Sequence, residues 1–326
     1  MSDASNVEAI DPDEAFALLG NETRLAIVRE LWAAADHEAT FSDLREAVGM
    51  RDSGQFNYHL GKLVGRFVER SADDTYRLTL AGQRVHGAIL AGLYTQEGTV
   101  EERSLPEPCG ACGGDRTFSY DGQSVAVNCA DCGFGTFVPV PPGVFADYPV
   151  EEWPSVADRY ASGILRRLGD GFCQFCEGRV EVQVEPEIET LRDESPPPEY
   201  EGFPSARYEC GRCGEMFSAD LGAALADHPA VIAFHHDHGI DVREAPLTRV
   251  QAVDSEEAWV RERDPLEAVV TYTAGDETLT LVVDDSDVEV PPTTNLYDIA
   301  PTLLDLMDVQ YDDREFDGDS HVTADD

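Results

Sequence analysis

Four Cys-x-x-Cys pairs constrain this chain more than any other feature in it: Cys109-Gly-Ala-Cys112, Cys129-Ala-Asp-Cys132, Cys173-Gln-Phe-Cys176 and Cys210-Gly-Arg-Cys213. Such a step followed by glycine is a knuckle. The glycine lets the backbone turn so that both sulfurs face one ion, and two knuckles complete a tetrahedral four-cysteine site. The first two pairs stand 16 residues apart, and TFSYDGQSVAVN between them reads as a hairpin about Asp121-Gly122. The last two stand 33 residues apart; RVEVQVEPEIE and ARYE read as strands flanking an enlarged loop around Pro196 to Pro198. The expectation is two zinc ribbons, over residues 105–145 and 172–220, holding about two Zn2+ per chain. Four thiolates at each ion leave no position for a reacting water, so the sites are read as structural. Pairing within each set is favoured over cross-pairing or one ion bridging the sets. A redox dithiol is the competing use of any single pair, and four pairs without a βαβ context count against it.

Cysteines used this way fit a reducing compartment better than a disulfide framework does. No stretch of about 18 consecutive apolar residues occurs, and MSDASNVEAIDPDE has neither the basic nor the apolar region of a secretory leader. The protein is therefore expected to be cytoplasmic, without membrane contact. Its 326 residues, 42% of them hydrophobic, give room for two or more domains with cores. The net charge is −42, and of 23 Lys+Arg only Lys62 is lysine. Dense carboxylates with almost no lysine are expected of a surface kept soluble in concentrated salt. An acidic protein for basic partners is the competing reading; the spread of acids over most of the chain, instead of one tail, argues against it.

Apolar residues Phe16, Leu19, Leu25, Ile27, Val28 and Leu31 recur at helical spacing and break at Gly20-Asn21, which predicts two helices joined by a turn. Phe41 to Val48 is a further short helix, stopped by Gly49. In the next segment Phe56, Leu60, Leu63, Val64 and Phe67 share one side of a helix, while Gln55, Tyr58, His59, Lys62 and Arg66 fall on the other. Asp52 or Ser53 serves as its N-cap. VERSADDTYRLTLAG alternates about Ala72-Asp73-Asp74 and reads as a β-hairpin, a wing. Ala81 to Tyr94 closes the region as a helix whose apolar Val85, Ile89, Leu90 and Leu93 suit dimerisation.

In that order, LLGNETRLAIVREL, FSDLREAVG, QFNYHLGKLVGRFVER and TYRLTLAGQ resemble the winged helix-turn-helix of ArsR-like transcriptional regulators, haloarchaeal ones in particular. The resemblance covers residues 11–96. It implies a homodimer on double-stranded DNA, with Ser53, Gln55, Asn57, Tyr58, His59, Lys62 and Arg66 at the recognition helix and Arg77 on the wing as the DNA-facing set. The metal-sensing members carry a cysteine pair in the helix before the recognition helix. Here FSDLREAVG has neither Cys nor His, so metal-gated release through that site is not expected. His86 lacks a ligand partner nearby and is read as a packing or surface residue. Charge agrees with the DNA face, since residues 45–84 carry seven bases against five acids in an otherwise strongly acidic chain. In concentrated salt counterion release adds little, so base-edge hydrogen bonds from Gln55, Asn57 and His59 must carry more of the affinity.

Between the ribbons, residues 146–171 read as a connecting helix with Trp153, Val156, Tyr160, Ile164, Leu165 and Leu168 apolar. Arg166 and Arg167 on it are more simply paired or solvated than bound to nucleic acid. Residues 221–290 read as two short helices, with Pro229 in a first turn and Gly239 at a C-cap, and a small sheet from TRVQAVDS, DPLEAVVTYTAG and ETLTLVVDDS. His235 and His238 share a helix face but lack a third ligand, which disfavours a metal there. Residues 1–10 and 291–326, the latter with ten acids and one arginine, are expected to be disordered. The fold class is thus α+β: an N-terminal winged helix-turn-helix, two four-cysteine zinc-ribbon-like units and a small α/β C-terminal region. Functionally this reads as a transcriptional regulator whose ribbons contact a partner or effector. The alternative is an adaptor or scaffold that uses both modules on transcription-machinery proteins. No glycine-rich phosphate loop, nucleophile elbow, H-E-x-x-H motif or open zinc site is present, so an enzyme is not expected.

Overall fold

The computed structural model describes residues 10–109, 112–133, 135–187, 203–243, 257–284 and 288–289. It forms two units, one of Met1–Glu97 with Pro141–Gly143, the other of Gly98–Val140 with Val144–Asp326.

The first unit runs α1 (Pro12–Leu19), α2 (Glu22–Ala33), β1 (Glu38–Thr40), α3 (Phe41–Ala47), α4 (Ser53–Leu63), β2 (Val68–Arg70), β3 (Thr75–Leu78) and α5 (Leu80–Leu90). Each helix starts where a short polar side chain takes an orphan backbone N–H. Asn21 accepts from Arg24 and so turns the Gly20-Asn21 break into the start of α2. Thr40 caps α3 and Thr79 caps α5. Asp52, not Ser53, caps α4, its Oδ1 accepting from Gly54 and Gln55 at 2.8 and 2.9 Å. The core is Ile27, Val28 and Leu31 of α2 packed with Leu44 of α3, Phe56, Leu60 and Leu63 of α4, and Val68 and Leu78 of the hairpin.

Three features differ from expectation. The hairpin is part of a three-stranded antiparallel sheet in the order β1-β3-β2, and β1 is only Glu-Ala-Thr, too short to show alternation. Helix α4 stops at Leu63: Val64 is extended and 39% exposed, and Gly65 at φ 90° turns the chain toward β2. Phe67 is buried all the same, from the turn. Helix α5 stops at Leu90 and leaves Leu90, Leu93 and Tyr94 exposed. Its start lies so close to the Phe67 carbonyl that a Cβ on Gly82 would sit 2.2 Å from that oxygen, which only glycine avoids.

In the second unit β4 (Val100–Ser104), β5 (Arg116–Tyr120), β6 (Ser124–Cys129) and β7 (Gly135–Pro139) form an antiparallel sheet in sequence order. The β5–β6 turn is the expected one: Asp121 accepts from the N–H groups of Gln123 and Ser124, and Gly122 has φ 96°. Strand β4, charged and exposed as Val-Glu-Glu-Arg-Ser, lies ahead of the expected boundary at 105. Helix α6 (Trp153–Gly169) follows, then β8 (Val180–Glu185), β9 (Ser205–Cys210) and β10 (Met216–Asp220), ordered β10-β9-β8. Two short helices, α7 (Leu221–Ala224) and α8 (Pro229–Asp237), lead to an antiparallel sheet of β11 (Ala258–Arg263), β12 (Leu266–Ala274), β13 (Glu277–Asp284) and β14 (Val288–Glu289). Strand β11 was not anticipated. The TRVQAVDS strand, the loop at 196–198, and the terminal segments save for Ile10 fall outside the described residues.

Helix α6 buries one side along its length, but against two different cores. Val156 and Ala157 pack with Phe118, Tyr120 and Phe145 of the first sheet region. Ala161, Ile164 and Leu168 pack with Val180, Phe203 and Tyr208 of the second. Among the described residues no helix is long and apolar enough to cross a membrane.

Candidate metal centres and the exposed face of α4

The eight cysteines gather into two groups of four, Cys109, Cys112, Cys129 and Cys132, and Cys173, Cys176, Cys210 and Cys213, each with all ligand atoms within 4.8 Å of one another. Cys109 and Cys132 sulfurs are 3.7 Å apart and those of Cys112 and Cys129 3.5 Å. In the second group the Cys173–Cys213 and Cys176–Cys210 separations are 3.8 and 3.5 Å. Tetrahedral zinc with Zn–S bonds of about 2.3 Å requires sulfurs about 3.8 Å apart. All eight thiols are free of disulfides, and the donor set suits a soft, tetrahedral ion such as zinc. The geometry thus pairs first knuckle with second and third with fourth.

Local backbone geometry makes each knuckle. Gly113 N–H returns to Cys109 O, Gly133 to Cys129 O, Glu177 to Cys173 O and Gly214 to Cys210 O. These four closing residues all have left-handed backbone, at φ 75°, 74°, 58° and 74°. Three are glycines, which adopt it freely; Glu177 is not. Backbone N–H groups also point at sulfur, as from Gly114 to Cys112 and from Phe175 to Cys173, both at 3.4 Å. The Cys132 N–H, helped by that of Asp131, outweighs burial and holds the Cys129 thiol down to about 7. The Cys213 and Arg212 N–H groups hold Cys210 down to about 6. At Cys213 the Glu215 N–H favours the thiolate, but burial and the neighbouring thiols prevail and push it up to about 12. Cys129 and Cys210 are thus biased toward thiolate while Cys213 holds its proton, and a dication that takes all four sulfurs of a group releases the protons that remain. Arg212 Nη1 donates to Cys176 O at 3.0 Å and so ties the fourth knuckle to the third.

On α4 the residues singled out from the sequence share one exposed side. Ser53, Gln55, Asn57, Tyr58 and Lys62 are exposed and His59 is half-buried. Tyr58 packs edge-on to His59 with centroids 5.3 Å apart, and Lys62 Nζ lies 5.6 Å from the Tyr58 ring centre. One residue expected on the helix, Arg66, is not part of that surface. It lies beyond the end of α4, half-buried in the turn. Arg77 is held across the sheet by Glu69 at 2.5 Å and Glu38 at 3.7 Å, so its charge is already compensated.

The other cationic and histidine residues considered are engaged within the chain. His86 is buried against Trp32, centroids 5.1 Å apart. His235 and His238 each donate through Nδ1 to a backbone carbonyl, of Val231 at 2.8 Å and Phe234 at 2.7 Å, and no ligand cluster forms around them among the described residues. Arg166 forms a two-pronged pair with Asp227 at 2.8 and 3.1 Å, and Arg167 pairs with Glu177. Sequence reasoning missed Glu177; the signal available was the absence of glycine after Cys176.

Residues 106–290 match the family model described as Domain of unknown function (DUF7351), more than half of the chain, and residues 12–89 match that described as Domain of unknown function (DUF7347). No curated protein and no solved structure matches the chain.

Proposed function

The chain belongs to the DUF7351 family, and we propose that it is a DNA-binding transcriptional regulator of the winged helix-turn-helix kind, whose zinc ribbons are structural and serve partner or effector contact. The observation that carries this reading is α4. Its Phe56, Leu60 and Leu63 are buried, its opposite side offers Gln55, Asn57, Tyr58 and Lys62 to solvent, and a short helix precedes it while a β-hairpin follows. Amide and imidazole groups on such a face can pair with base edges, and Lys62 can meet phosphate. The exposed Leu90, Leu93 and Tyr94 at the end of α5 support a homodimer through that end. A two-fold dimer would take half-sites about one helical turn apart, about 34 Å. The protein acts by binding and not by catalysis, within the cytoplasm, with about two zinc ions per chain.

Gel shifts in concentrated salt test the reading. Gln55→Ala, His59→Ala and Lys62→Ala should each weaken binding to a short operator without loss of zinc; unchanged binding in all three would sink it. A second reading, an adaptor that contacts transcription-machinery proteins, is favoured by the exposed Phe137, Phe172 and Phe175 on the two ribbon regions. It predicts retention of such proteins, with no DNA complex.

A further inference from the structure

Strand β8 is terminal in its sheet, ordered β10-β9-β8, and its outer edge pairs with no other strand among the described residues. The Gly211 N–H donates to Arg179 O at 3.1 Å, and Val180 lies opposite Cys210, so Arg179 turns its backbone groups toward β9. Backbone direction alternates along an antiparallel strand. Val180, Val182 and Val184 therefore turn theirs outward, and the Val180 N–H meets Gly171 O there at 2.9 Å. Beyond that bond, the outward groups of Val182 and Val184 meet no backbone partner among the described residues. A groove of about 680 Å³ runs along this edge, lined among the described residues by residues 179–185.

Side chains along the edge specify what fits. Val182 is 43% exposed, and Phe172, bridged to Arg179 where the edge begins, is 54% exposed. Natural sheets guard an open edge with lysine, proline or a bulge. β8 reads Val-Glu-Val-Gln-Val-Glu, keeps unbroken register with β9, and has none of these. On the other face Glu181 stands directly opposite Glu209, an unfavourable pairing of like charges. Arg207 attends to Glu209 at 2.9 Å and Glu185 at 3.5 Å, which leaves Glu181 with no ion pair among the described residues.

We propose that the outer edge of β8 receives an extended segment of a partner protein, in which apolar residues alternate with arginine or lysine, as an added antiparallel or parallel strand. Main-chain bonds to Val182 and Val184 hold the segment. Its apolar side chains cover the valine face, and a basic side chain supplies the charge that Glu181 lacks. This deepens the partner-contact part of the reading above and does not depend on DNA binding by α4.

The test uses the full-length zinc-loaded chain and a synthetic hexapeptide of alternating arginine and valine, with a glutamate–valine hexapeptide as control. Amide exchange at Val182 and Val184 should be fast in the free chain, slow at least about tenfold on adding the basic peptide, and stay fast with the acidic one. Val182→Pro removes an outward N–H without breaking a bond to β9, and should abolish binding. Glu181→Lys should weaken the basic peptide roughly fivefold, and keeps the test decisive if the proline variant loses zinc. Protection of both amides in the free chain would mean that the chain itself or a second copy already covers the edge, and would overturn the proposal. So would equal binding of both peptides, or binding unaffected by either substitution. A gel shift with DNA on the same samples reads α4 separately.

Discussion

The guanidinium of Arg167, on the last turn of α6, pairs with the carboxylate of Glu177, the one knuckle-closing residue that is not glycine. Left-handed backbone costs a non-glycine residue about 1–2 kcal/mol, whereas a half-exposed ion pair returns at most about 1 kcal/mol. Glycine in turn adds about 0.5–1 kcal/mol of entropy to the unfolded chain. Glu177→Gly should therefore leave stability within about 1 kcal/mol of the wild type. Glu177→Val should lower it by about 2 kcal/mol, because a β-branched residue fits that conformation worst. Urea midpoints of zinc-loaded protein decide the matter; a valine variant as stable as the wild type would show that the left-handed turn is not held.

Elemental analysis should find about two zinc ions per chain. Cys109→Ser should remove one of them and Cys173→Ser the other, since the sulfurs group within each set. Chelation should unfold residues 105–215, because binding of a structural metal is part of the folding free energy. Loss of both ions on either single substitution would instead indicate one shared site.

Contacts with DNA should divide by type. Lys62→Ala should reduce the slope of log affinity against log salt by about one. Gln55→Ala should lose about 1–3 kcal/mol of discrimination at one base pair while leaving that slope alone. Arg77→Ala should alter DNA affinity less than Lys62→Ala does, because Glu69 and Glu38 already occupy its guanidinium. Salt titrations of the three variants on one operator provide the check.

Burial, and after it the charge of Arg29, hold His86 below its ordinary value of 6.5. The unfolded chain thus takes up this proton before the folded chain does as pH falls. The stability tied to neutral His86 is complete above 6.5 and is lost as pH drops through the lower folded value. His86→Phe keeps an aromatic ring on Trp32 and should flatten that part of the profile. Urea midpoints at about pH 7.5 and about pH 5.5 should converge between the two pH values in the variant more than in the wild type.

Much of this molecule was legible where local chemistry decides the backbone. The Gly20-Asn21 break, the Asp121-Gly122 turn and the knuckle glycines each announce a conformation that few other residues take, and the structure has them in place. Periodicity was less informative at ends. Val64 and Phe67 continue the apolar spacing of α4, yet the helix stops before them, because Gly65 redirects the chain while Phe67 still reaches the core. Strands β1 and β11 escaped notice for a different reason: Glu-Ala-Thr and Ala-Trp-Val-Arg-Glu-Arg are held by pairing with β3 and β12, which no local pattern records. The partners of Arg77 are hidden for the same reason, since Glu38, one of the carboxylates that engage it, comes from a distant part of the chain.

Helix α6 belongs to two cores at once, the first through Val156 and Ala157 and the second through Ile164 and Leu168. Each residue of an α-helix advances about 100° around its axis. Inserting or deleting a single residue between those two pairs would keep each half intact but rotate one core by that angle about the other. Such a change cannot be absorbed by small side-chain shifts, so the distance from Ala157 to Ile164 is a fixed length in this chain.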